Sequence, residues 1–211
     1  MSERTLFILL AQYNQHMNLQ LYAAAAQLTA QQLSKPAGAF FGSLMGTLNH
    51  IVAGDTIWMQ RFGAHPAAFP ALNAILAMPA PAGLTALFSD DLPTLASHRR
   101  TLDAVILDWA AEIEDADLQH ILHYKNTKGV PAQKRFAALM LHFFNHQTHH
   151  RGQASTLLSQ AGIDIGVTDL LAVIPNDHGD ANDKAVRTVD CPQREALQSD
   201  IIIQSIPPAP P

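Results

Sequence analysis

The sequence is poor in cysteine, in clustered positive charge and in long apolar runs. Its 211 residues include one cysteine, Cys191, which excludes an intramolecular disulfide framework and any paired-cysteine zinc or redox motif. That thiol sits in a polar stretch and reads as uninvolved. The densest positive charge is the pair Arg99-Arg100, which by itself reads as a solvated helix face. With a formal charge of −5, the chain lacks the electrostatic footprint of a nucleic-acid or anionic-membrane binder, and neither is expected as a partner. The run "LFILLA" follows Glu3 and is too short for a signal-peptide core. No stretch approaches the ~20 apolar residues of a membrane span. A cytoplasmic location is the expectation. What is abundant is apolar material: 48% hydrophobic against 15% charged residues, enough to bury a substantial core.

Those apolar residues recur at helical spacing almost throughout. The spacing predicts a first helix over residues 4–33, with Leu6, Leu9, Tyr13, Met17, Tyr22 and Leu28 toward the core. It must stop near Ser34, because Pro36 disfavours helical geometry in Lys35. A second helix begins near Ser43 and carries Leu44, Leu48, Ile51, Trp58 and Phe62, interrupted by His50 and Asp55. An Ala/Pro-rich loop over 63–91 follows. A third helix, capped by Asp91 or Ser89, runs over 92–113. "LQHILHYKNTKGVP" then breaks the period and predicts a small hairpin or irregular excursion. A fourth long helix is predicted over 131–161, with Pro131 in its first turn and Gly162 just past its end. The fold class that follows is all-α, a four-helix bundle over residues 1–175. Residues 176–211 read as a polar C-terminal tail, extended or disordered.

One segment stands apart. "HFFNHQTHHRG", residues 142–152, holds four of the chain's 11 histidines. On a helix, His146 and His150 are four apart and present their rings to one point, the geometry by which a helix supplies two ligands to one divalent ion. They lie on a stripe with Leu139, Phe143, Gln153 and Leu157, whereas His142 and His149 fall at its edge. A third ligand must come from elsewhere, and His50, inside the apolar second helix, is the outstanding candidate. Three neutral imidazoles leave positions open for water or substrate, as in catalytic metal sites. Asp55 is either a further ligand, an orienting neighbour, a partner of Arg61 or an exposed residue. Sharper motifs fail. "HQTHH" has the outline of a zinc-protease helix, but Gln147 stands where the glutamate general base belongs. No Glu-x-x-His is present, which removes the carboxylate-bridged di-iron bundle.

At these residues the sequence resembles the DinB family of small metal-binding four-helix bundles (the DinB/YfiT-like type). The resemblance is carried by "YNQHMNLQLY", "GSLMGTLNHIVAGDTIWMQRF" and above all "LHFFNHQTHHRGQASTLLSQAGIDIGVTDLLAVIP", and it covers residues 4–175. It implies a metal held by one histidine of the second helix and two, four apart, of the last. Position by position these are His50, His146 and His150. It implies zinc or nickel as cofactor, a homodimer, and, in similar proteins of assigned activity, metal-dependent transferases and isomerases that use a low-molecular-weight thiol. A thiol on the open metal position loses its proton, because the cation stabilises thiolate far more than thiol. The small-molecule partner expected is therefore such a thiol and its electrophile. Two other readings stand beside it: metal-assisted hydrolysis, and a non-catalytic, stress-associated metal-binding protein. Gln153 is expected to hydrogen-bond a ligand or substrate, with His149 near the pocket. Arg151 is expected to face solvent or a partner subunit, and Gly152 to permit close helix approach.

Overall fold

The computed structural model describes residues 2–176; the tail expected over 176–211 and Cys191 lie, Asn176 apart, outside the described residues. The described chain is mostly helical, with one small two-stranded sheet. Helix α1, Glu3–Ala25, starts at Ser2, whose hydroxyl accepts from the Thr5 amide. The continuous helix expected over 4–33 is broken here. Thr29 and Gln32 form a reciprocal capping box that starts a separate short helix α2, Ala30–Ser34. A threonine side chain competing for backbone hydrogen bonds ends one helix and starts the next.

Helix α3, Leu44–Phe62, is capped by Ser43. The loop expected over 63–91 contains a 3-10 turn, Pro70–Leu72, running into a single helical turn α4, Asn73–Leu76. Asp91, not Ser89, caps α5, Leu92–Glu112, accepting from the Thr94 amide at 2.9 Å. The excursion is a hairpin: β1, Ile121–Lys125, pairs antiparallel with β2, Pro131–Arg135. Pro131 therefore begins a strand rather than a helix. It pairs with Lys125 at the ladder's end, where a missing N–H costs little. The last helix, α6, Phe136–Gln160, ends before Gly162, whose φ of +79° is the left-handed conformation expected there.

Helix α1 packs on α5 and α6, and α3 packs on α6 and α5. A cluster of Phe62, Trp109, Phe136 and Phe143 joins α3, α5 and α6, with Phe62 stacked on Trp109 at 5.0 Å. The α1 face turned inward is Phe7, Ala11, Asn14, Asn18 and Leu21, while Leu6 is exposed. Tyr13, Met17 and Tyr22 of the expected stripe are buried; hydropathy alone misses Asn14 and Asn18 because it counts asparagine as an outward residue. Both asparagines are buried and donate to Asp103 Oδ1, at 3.0 and 2.9 Å. They belong to a polar core in which Arg99 bridges Asp55 and Asp103, Gln147 donates to Asp55 and Arg151 donates to Asn14. Arg99 and Arg151 are thus buried, against the expectation that each faces outward. Two guanidinium groups and two carboxylates balance in charge, which is the condition for burying any of them. Burial pushes Asp103 up to about 6 and raises Asp55. It would lower Arg99 as well, but Asp103 and Asp55 outweigh it and hold that group above its ordinary value.

Candidate metal centre

Helices α3 and α6 bring His50, His146 and His150 together, with one ring nitrogen of each within 4.8 Å of the others. His50 and His150 are buried and His146 is half-buried. Their tautomers follow from their partners. His50 Nδ1 lies 2.7 Å from the Leu84 carbonyl oxygen, so it carries the proton. His150 Nδ1 lies 2.8 Å from Gln153 Oε1, so it also donates. Each ring then presents a bare Nε2, and the two Nε2 atoms face each other at 3.1 Å. Two lone pairs at that distance repel unless a cation lies between them. Bound at roughly 2.0–2.1 Å, tetrahedral nitrogens sit about 3.4 Å apart, close to what is found.

Protons are poor candidates for that cation. Burial lowers the pKa of all three rings, and in His146 burial together with the neighbouring imidazoles pushes it down to about 3. The cluster is held neutral, as ligation requires. Three imidazole donors, two with fixed tautomers, fit a divalent metal ion.

Two glycines position these rings. A Cβ on Gly54 would lie 2.9 Å from His146 Cε1, so only glycine leaves room for that imidazole against α3. A Cβ on Gly46 would collide with the Phe41 carbonyl oxygen at 2.1 Å. Glycine there lets the turn before α3 fold back onto the helix's first turn, and Gly42 closes that turn at φ +80°. Phe41 is thereby laid flat on His50, ring centroids 3.7 Å apart, and edge-on to His150 at 5.5 Å.

The remaining expected residues divide. Gln153 holds His150 through its carbonyl and approaches His149 Nε2 through its amide nitrogen at 3.2 Å. His149 and His142 are exposed. Asp55 turns away from the histidines into the core and is no member of the ligand group. It does not pair with Arg61, which lies over the Trp58 ring at 4.7 Å. Gly152 is exposed with nothing within 4 Å, so the close approach belongs to Gly54 instead.

The family model described as the DinB family matches residues 1–179. The chain belongs to the DinB family. No curated protein and no solved structure matches it. Sequence reasoning about this DinB chain missed Phe41, the Leu84 carbonyl, Gly46 and Gly54. A backbone carbonyl leaves no trace in a sequence. Gly54 did leave one: a glycine in a helix interior costs about 1 kcal/mol relative to alanine, which asks for a packing reason.

Proposed function

We propose that this DinB protein is a four-helix bundle that holds one divalent ion, zinc or nickel, on His50, His146 and His150, and uses it to transfer a low-molecular-weight thiol to an electrophilic small molecule. The observation that carries the metal reading is the pair of bare Nε2 atoms at 3.1 Å. A divalent cation held by the three histidines would supply Lewis acidity, lowering the pKa of a bound thiol or water. The chain's own part is preorganisation. Leu84 and Gln153 fix the two ring tautomers, Gly54 seats His146, and Phe41 covers one face of His50.

Asp55 is committed to Arg99 and Gln147 and offers a general base to neither a thiol nor a water; a thiol held by the cation would release its proton to solvent, its anion being stabilised by the positive charge. Among the described residues no helix is long and apolar enough to cross a membrane; a cytoplasmic homodimer is part of the same proposal. The test is a panel of small thiols presented with a chromogenic electrophile to metal-loaded protein. Turnover with one thiol, lost in His146→Ala, is the expected result. No turnover with any thiol would leave the non-catalytic metal-binding reading in its place.

A further inference from the structure

Helices α3 and α6 meet along a ladder of contacts at four-residue steps. His50 sits against His150 with ring centroids 4.3 Å apart, Gly54 sits against His146, and Trp58 is edge-on to His142 at 5.0 Å. The metal centre occupies the first two rungs. Beyond the third, the line reaches the hairpin, where Tyr124 of β1 packs on Trp58 at 5.4 Å. His146, Trp58 and Tyr124 are half-buried and His142 is exposed, so solvent reaches this strip alongside the ligands.

Arg61 lies at the end of this strip. Its Cζ is 4.7 Å from the Trp58 ring centroid and 5.4 Å from that of Tyr124. Long side chains on a helix lean toward its N-terminus, and that direction brings the guanidinium back over Trp58, toward the histidines. Stacking on rings holds a guanidinium in place and spends none of its N–H groups. Both ion pairs among the described residues belong to Arg99, and Arg61 forms neither an ion pair nor a side-chain hydrogen bond there. It is half-buried, and its nitrogens, unlike those of Arg99, are open to solvent. Burial lowers its pKa, and no carboxylate offsets that. A stacked, partly desolvated guanidinium with an open edge presents the fork that a carboxylate engages through both oxygens.

We propose that the Arg61 end of the strip is a carboxylate subsite of the metal centre. The thiol that reaches the three histidines carries a carboxylate at its far end, taken by the open edge of Arg61, and its chain lies across Trp58 and His142. From the His50 rung to the Trp58 rung is roughly 12 Å of helix. The ligand class is therefore an extended thiol acid, not one with both groups on neighbouring carbons. This subsite rests on the thiol reading of the metal centre.

Calorimetry on the full-length, zinc-loaded protein tests it with mercaptooctanoate and its neutral counterpart mercaptooctanol. Mercaptooctanoate is expected to bind about tenfold more tightly or better, the worth of a charge-assisted pair of hydrogen bonds. Arg61→Met, which keeps an apolar stem on Trp58, should bring mercaptooctanoate down to the level of mercaptooctanol. Zinc content and circular dichroism should stay as in wild type, which distinguishes loss of the subsite from loss of the fold. Arg61→Lys, which keeps the charge but not the planar fork, should recover part of the preference. Equal binding of the two thiols, or a preference that survives Arg61→Met, would overturn the subsite and leave the thiol reading standing. No binding of either thiol would overturn both.

Discussion

His50 Nε2 and His150 Nε2 face each other at 3.1 Å with their protons committed elsewhere, one to the Leu84 carbonyl and one to Gln153. Protein purified without a histidine tag should therefore carry close to one divalent ion per chain by elemental analysis. His146→Ala and His150→Ala should each bring that to near zero while the far-ultraviolet spectrum stays helical. Metal-free wild-type protein that refuses added zinc would end the site assignment.

Gln153 makes no direct claim on the ion, yet it sets which nitrogen of His150 is bare. Partners of this kind are worth about 10–100-fold in metal affinity. Gln153→Leu should weaken zinc by that factor in a chelator competition, and Gln153→Glu, which keeps an acceptor, should recover most of it.

At Gly54 affinity and stability should part company. Alanine is the better helix former by about 1 kcal/mol, but its Cβ displaces His146 from 2.9 Å. Gly54→Ala is expected to leave the metal-free melting temperature unchanged or higher while weakening metal binding at least tenfold. A variant that binds zinc as tightly as wild type would show that His146 is free to move.

Acid should act on the metal-free protein through the same cluster. His146 titrates near 6.5 when unfolded and near 3 when folded, so between these values the unfolded chain binds the extra proton. Stability contributed by the neutral ring is present above pH 6.5 and is lost as pH falls toward 3. Asp103, raised by burial to about 6, works in the opposite sense over pH 6 to 4. The difference between wild type and His146→Asn isolates the histidine: in denaturant titrations at pH 7 and pH 5, wild type should lose more stability than the variant.

Arg99 compensates two buried carboxylates. Removing one partner of such a cluster strands the others, at a cost of about 3–5 kcal/mol. Arg99→Met should lower stability by that amount in urea melts, whereas a solvated Arg100→Met should change it by less than about 0.5 kcal/mol.

Sequence alone made much of this protein legible. Helical spacing of apolar residues determined that the chain is mostly helical, and the caps at Ser43, Asp91 and Gly162 marked where long helices begin and end. The four-residue step between His146 and His150 put two rings on one face whatever the helix packs against, because that relation is local. Phase placed His142 and His149 toward solvent for the same reason. Pairings between distant segments were decided only in three dimensions. Asn14 and Asn18 face inward because Asp103, on another helix, awaits them. Arg99 is buried because carboxylates from two helices neutralise it and Arg151 because it donates to the Asn14 amide of a third, whereas hydropathy assigns such residues outward. The bare Nε2 of His50 depends on a backbone carbonyl 34 residues along the chain, and the Phe41 ring that stacks on it depends on a turn that a glycine allows to fold back. Periodicity carries information about neighbours within a helix; which polar group will neutralise another is a property of the assembled core.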